Sequence, residues 1–195
     1  MAGKLFGHTI IVTGGGRGFG ENMSKAVAKE GANVVVADLD FDQAERVVET
    51  IRRDESTALA LQADVSNEVE VKQLVETTLE QFGSIDVLIN NAGIPGPMGE
   101  LHTLDVEAWD RVFSVNVCGV FLCSKMVIPC MIERGAGHIV NISSSTTSSG
   151  FKIEHLRSFP YTVSKGTVNW IRIANVLHLR ECSNVQVSLP SLQFQ

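Results

Sequence analysis

A tyrosine and a lysine four residues apart, in Tyr161-Thr162-Val163-Ser164-Lys165, are the side chains of this sequence best placed to move a proton. On a helix, the i, i+4 spacing sets both on one face. A phenol ordinarily keeps its proton to about pH 10 and is a poor base at neutrality. A neighbouring ammonium favours the phenolate and makes a tyrosine usable for acid–base work. The spacing alone arises often by chance, so its meaning depends on the rest of the chain.

A second group of residues suits an anion. Thr13-Gly14-Gly15-Gly16-Arg17-Gly18-Phe19-Gly20 follows an apolar run and precedes a helical pattern through Met23, Ala26 and Val27. Glycines allow a tight turn and close backbone approach to a diphosphate. The start of the next helix adds free N–H groups and the positive end of its dipole. The spacing is T-G-x-x-x-G-x-G. It is not G-x-G-x-x-G, because Phe19 stands where the third glycine would be, and not a phosphate loop ending in Gly-Lys, because Glu21 follows Gly20.

These residues need a frame, and the sequence supplies one. Short β-rich runs recur at Thr9–Thr13, Asn33–Asp38, Ala58–Gln62, Asp86–Asn90, His138–Ile142 and Asn184–Leu189. Most are nearly all apolar, as strands covered on both faces are. Between them lie amphipathic helices. Ala44, Val47, Val48 and Ile51 form one buried stripe, and Val71, Leu74, Val75, Leu79 and Phe82 another. Asp40 or Asp42 caps the first, Ser66 or Asn67 the second, and Gly83 ends the second. Strand–helix repetition implies an α/β fold: one doubly wound, parallel sheet of Rossmann type with helices on both faces. Such sheets bind ligands beyond the carboxyl ends of their strands, and each motif falls just after a strand. Residues 1–195 read as a single domain.

Composition excludes several classes. The chain has 195 residues, 44% hydrophobic and 19% charged, with net charge −6, which describes an ordinary globular protein and disfavours nucleic acid as a partner. The apolar run at Thr9–Val12 is too short for a secretory signal. Val112–Ile132 is apolar but contains Asn116, Lys125 and Pro129, so it reads as a buried helix with no membrane role. Cys118, Cys123, Cys130 and Cys182 form no C-x-x-C pair and have no metal-ligand spacing, so reduced thiols, a cytoplasmic setting and no metal are expected. There is no G-x-S-x-G or H-E-x-x-H for hydrolysis.

Taken in order, the glycine turn, Asn90-Asn91-Ala92-Gly93 and Tyr161-x-x-x-Lys165 resemble the classical short-chain dehydrogenase/reductase family from about Lys4 to about Val187. The resemblance implies hydride exchange between a nicotinamide dinucleotide and a small alcohol or carbonyl substrate. Gly14, Arg17, Gly18, Phe19 and Gly20 would then hold the diphosphate end, Asp64 and Val65 the adenine, and Asn91, Tyr161 and Lys165 the nicotinamide end. Asp38 can accept hydrogen bonds from both adenosine ribose hydroxyls and would repel a 2′-phosphate, so NAD is expected rather than NADP; Arg17 points weakly the other way. Lys165 would also bond the nicotinamide ribose.

The family's catalytic set is completed by a serine after the fifth strand and by an asparagine. Asn116, in Val115-Asn116-Val117, matches the asparagine that relays protons toward the lysine. Matching strand to strand selects Ser144, which lies 17 residues ahead of Tyr161. Counting back the family's usual interval of about 13 selects Ser148; an insertion in Thr146–Pro160 favours Ser144.

The family pattern lapses after Val187. Ser188-Leu189-Pro190-Ser191 lacks the Pro-Gly turn of relatives, which reads as C-terminal truncation: a last strand region and part of the usual oligomer surface are missing. Homo-oligomerisation is then weakened. The two readings are a working dehydrogenase/reductase with a minimal pocket, or a truncated, catalytically poor dinucleotide-binding protein with an interaction role or none.

Overall fold

A computed structural model describes residues 3–144, 158–179 and 184–188. Six parallel strands form one sheet: β1 (Thr9–Thr13), β2 (Asn33–Asp38), β3 (Ala58–Gln62), β4 (Val87–Asn90), β5 (Ala136–Asn141) and β6 (Asn184–Ser188), in the order β3-β2-β1-β4-β5-β6. The first three have the bounds expected from sequence. Asp86 stays outside β4, because its carboxylate accepts from the Thr9 N–H at 2.8 Å and anchors the start of β1. β5 begins two residues earlier than expected, at Ala136 directly after the left-handed Gly135. In register, Ile11 pairs with Val35 on one side and Leu88 on the other, so the most apolar strand lies inside the sheet.

Helices cover both faces, and side-chain alternation along each strand decides which helix each residue meets. Val12, Val34 and Val36 face α1 (Gly18–Lys29) and α2 (Phe41–Arg53), burying Ala28, Ala44, Val47, Val48 and Ile51. Ile11, Val35, Leu88 and Ile139 face α3 (Glu68–Phe82) and α5 (Gly119–Arg134), burying Val71, Leu74, Cys123, Val127 and Met131. Full burial of one such aliphatic side chain contributes about 1.5–3 kcal/mol; β1, β2, β4 and β5 each contribute at least one, whereas β3 buries Ala58 and Ala60.

The caps resolve the alternatives that sequence left open. The Asp40 carboxylate accepts from the Gln43 N–H at 3.2 Å to start α2, and the Asn67 carbonyl oxygen accepts from Val69 and Glu70 to start α3. Gly83, at φ 75°, ends α3 in the left-handed conformation. The buried face of α1 differs from expectation. Ala26 is exposed, whereas Gly20, Ser24 and Ala28 face the sheet. Ser24 is tolerated there because its hydroxyl donates to the Gly20 carbonyl at 2.9 Å.

The long apolar stretch Val106–Arg134 has the length and composition of a membrane span. It is broken into α4 (Val106–Phe113), a wide turn at Ser114–Cys118, and α5. Val112, Asn116, Val120, Cys123, Ser124, Val127 and Met131 are buried inside the protein. Trp109 on α4 stacks on Phe113, with centroids 4.7 Å apart, and reaches Phe159 at the start of α6 (Phe159–Leu179) at 5.9 Å. Trp170, farther along α6, is 71% exposed.

Candidate functional site

Strand order reverses between β1 and β4. Connections from their carboxyl ends leave toward opposite faces, and a crevice opens between them. A cavity of about 780 Å³ occupies that crevice. It runs from the glycine turn, past Asp38 and Asp64-Val65, to Tyr161 and Lys165.

The turn at one end is shaped by its glycines. Gly14 and Gly18 have φ of 60° and 56°, a region that L side chains enter only at a cost. Gly20 crosses directly over Gly14; a β-carbon on it would collide with the Gly14 carbonyl and lie 2.7 Å from Asn91 Nδ2. Asn91 buttresses the same crossing, its amide donating at 2.9 Å to the carbonyls of both Thr13 and Gly14. The Thr13 hydroxyl accepts from the N–H groups of Asn91 and Ala92 at 3.1 Å. Asp38 closes this end: one carboxylate oxygen accepts from the Gly16 N–H at 2.9 Å, the other from the Asp40 N–H at 3.1 Å. Phe19, in place of a third fingerprint glycine, is 47% exposed and lines the cavity.

At the other end, one turn of α6 brings the Tyr161 and Lys165 side chains together. Lys165 Nζ lies 5.9 Å from the centre of the Tyr161 ring. Lys165 is buried, and that desolvation pulls its pKa down from 10.5 to about 8. Its ammonium donates to the Ile142 carbonyl at 2.8 Å, just past β5. Asn116 sits beneath, fully buried in the wide turn ahead of α5. Its Oδ1 accepts from the Ile94 N–H at 2.8 Å, and its Nδ2 donates to the Ile94 carbonyl and to Ser164 Oγ at 3.1 and 3.0 Å. A β-carbon on Gly93 would stand 3.2 Å from Asn116 Oδ1 and 3.4 Å from Lys165 Nζ, so the missing side chain is what leaves these two groups room.

The structure brings together on one cavity wall the sequence candidates Gly14, Arg17, Gly18, Phe19, Gly20, Asp38, Asp64, Val65, Asn91, Tyr161 and Lys165. Asn116 lies behind the wall. Ser144 is buried, 2% exposed, beside Ser143, which does line the cavity and donates to the Lys165 carbonyl at 3.2 Å. Ser148 lies outside the described residues. Asn90, the first residue of the Asn-Asn-Ala-Gly motif, steadies the sheet: it donates to Asn141 Oδ1 on the paired strand at 2.8 Å and to Ser124 Oγ on α5 at 3.2 Å. Sequence reasoning missed Ile94, Pro95, Arg111 and Ser114, which also line the cavity. The first two directly follow the Asn-Asn-Ala-Gly motif; Arg111 on α4 and Ser114 in the wide turn lie within five residues of Asn116, which is the only signal they carry.

A family model described as short chain dehydrogenase matches residues 8–187. The chain belongs to that family. It is 37% identical to (+)-borneol dehydrogenase 2 of Salvia officinalis over 85% of its own length and 57% of that protein's. It spans 52–57% of the length of three of the curated relatives it matches. A metagenomic short-chain oxidoreductase solved in complex with NADP superposes with a TM-score of 0.89 at 30% identity, covering 98% of this chain and 84% of that one. A 3-ketoacyl-(acyl-carrier-protein) reductase from Brucella melitensis complexed with NADH superposes with a TM-score of 0.86 at 35% identity, covering 96% and 76%. Both likenesses extend over nearly the whole of this chain.

Proposed function

We propose that the protein is an NAD-dependent oxidoreductase that interconverts a secondary alcohol and its ketone. The observation that carries this reading is the single continuous cavity with a diphosphate-suited glycine turn at one end and the Tyr161–Lys165 pair at the other. The residues present fit a dinucleotide: the turn has glycine wherever a side chain would block backbone approach, and the Arg17 N–H donates to none of the described residues. Relatives of known structure hold NADP or NADH. Asp38 favours NAD here, because its carboxylate stands where a 2′-phosphate would have to lie and is fixed by two backbone N–H groups.

When bound, the nicotinamide ring supplies the hydride acceptor or donor. This chain's own residues handle the proton. The substrate oxygen sits beside Tyr161, which as phenolate removes the hydroxyl proton during oxidation and returns it during reduction; Ser144, buried next to the cavity-lining Ser143, would hold that oxygen by a hydrogen bond only once turned toward the cavity. Protonated Lys165 offsets the phenolate charge and bonds the ribose beside it. Asn116, held by Ile94 and Ser164, keeps a polar path from Lys165 toward solvent open. The substrate is a small molecule, the setting is the cytoplasm, and residues 1–195 act as one dinucleotide-binding domain.

Fluorescence titration of the purified chain with NADH and NADPH, followed by assay on a panel of secondary alcohols and ketones, tests the reading. NADH is expected to bind the more tightly, and Tyr161→Phe to lower turnover by at least 100-fold with NADH affinity kept, on the order of what a general acid–base group supplies. Tighter NADPH binding would overturn the role given to Asp38. Binding without turnover would leave a dinucleotide-binding protein that is catalytically poor.

A further inference from the structure

Arg46 stands in the second turn of α2, outside the cavity lining, with its side chain 50% exposed. Its guanidinium donates to the Gly16 carbonyl at 3.0 Å and to the two carboxylate oxygens of Glu21 at 3.3 and 2.9 Å. Glu21 belongs to the first turn of α1, and Lys25 grips it from one turn further on at 2.7 Å. Hydrogen bonds from Arg46 first, and then Lys25, hold the Glu21 carboxyl down at about 2.

Two consequences bear on the glycine turn. The first is geometric. Gly16 is tied in both of its flanking peptide planes, its N–H to Asp38 and its carbonyl to Arg46. In a trans peptide, the C=O and the following N–H point in opposite directions. With the Gly16 carbonyl turned onto α2, the Arg17 N–H faces away from α2, and Arg17 lines the cavity. The second is electrostatic. A carboxylate in the first turn of α1 opposes an anion at that helix start, and Arg46 together with Lys25 cancels it.

We propose that Arg46 is a positioning residue for the dinucleotide: by tying Gly16 to α2 and neutralising Glu21, it aims the Arg17 N–H into the cavity and keeps the start of α1 receptive to a diphosphate. The proposal rests on the dinucleotide reading given above.

Titrations of the full chain with NADH and with ADP-ribose test it, using wild type, Arg46→Ala, Arg46→Lys and Glu21→Gln. Arg46→Ala is expected to weaken both ligands about tenfold, the scale of one charge-assisted hydrogen bond. Arg46→Lys keeps the charge but not the forked contact, and should weaken them about threefold. Glu21→Gln removes an anion while leaving the Gly16 tether, so its affinity should stay within about twofold of wild type or rise. Arg46→Ala and Glu21→Gln break the same ion pair, and a purely structural strut would respond to both alike. Equal weakening by the two overturns the proposal, as does ADP-ribose binding to Arg46→Ala within twofold of wild type. Should Arg46→Ala not fold, the comparison of Arg46→Lys with Glu21→Gln decides on the same terms. Failure of the wild type to bind NADH or NADPH sinks the dinucleotide reading instead, a separate result.

Discussion

Lys165 shows how a single side chain can cost stability and serve the site at once. Burial lowers its pKa from 10.5 in the open chain to about 8 in the fold. Between those two values the unfolded chain binds a proton that the folded chain does not, so stability attributable to this group rises with pH across that interval. Below about pH 8 both states are protonated and the full penalty stands, on the order of 3 kcal/mol at 1.36 kcal/mol per pH unit. Lys165→Met removes the charge at similar length. Its unfolding free energy by urea titration at pH 7 is expected to exceed that of wild type, with the gap narrowing as pH rises from 8 toward 10.5. A gap independent of pH would show that the Lys165 contact with the Ile142 carbonyl, and not its desolvation, governs the difference. In sequence the same residue was legible as half of a common spacing, to which the family resemblance added a place at the nicotinamide end. Its burial, and the nearness of Asn116 to Lys165 behind Gly93, come from α4, the wide turn and β5 closing around it, which no local pattern states.

At the scale of elements, the glycine turn separates two reasons for having no side chain. Gly18 has φ 56° and open space around its α-carbon, so Gly18→Ala meets only the left-handed backbone penalty, about 1–2 kcal/mol. Gly20 has an ordinary helical backbone but no space, because β1's end, the Gly14 carbonyl and Asn91 converge on it. Gly20→Ala must push the start of α1 off β1, and a loss above about 3 kcal/mol is expected, with NADH binding abolished. Thermal melts and NADH titration of the two variants check the contrast; equal losses would mean that conformation and not crowding sets the turn. The turn's existence was readable from T-G-x-x-x-G-x-G, as were the strand bounds of β1, β2 and β3, because apolar runs buried on both faces have little ambiguity. The buried face of α1 was not readable: Ser24 replaces an apolar residue at the contact, and only the Gly20 carbonyl that accepts its hydroxyl explains why. Cavity-lining Arg111 and Ser114 also escaped, since their role depends on how α4 is carried past the end of β4.

For the molecule as a whole, the parallel sheet makes the order of construction differ from the order of the chain. β1 lies between β2, its near neighbour in sequence, and β4, and the Thr9 N–H reaches Asp86 across 77 residues. A ribosome adding about 5–20 residues per second needs roughly 4–15 s to cover that interval. Until it has done so, the strand that ends at the glycine turn has a partner on one edge only. Nascent chains halted before β4 emerges are therefore expected to be cut readily by protease within residues 9–13, and those halted well after it to resist. The amino-terminal half of this protein is thus the part that must wait, and it is there, rather than at its newest residues, that a growing chain would offer apolar backbone to a chaperone.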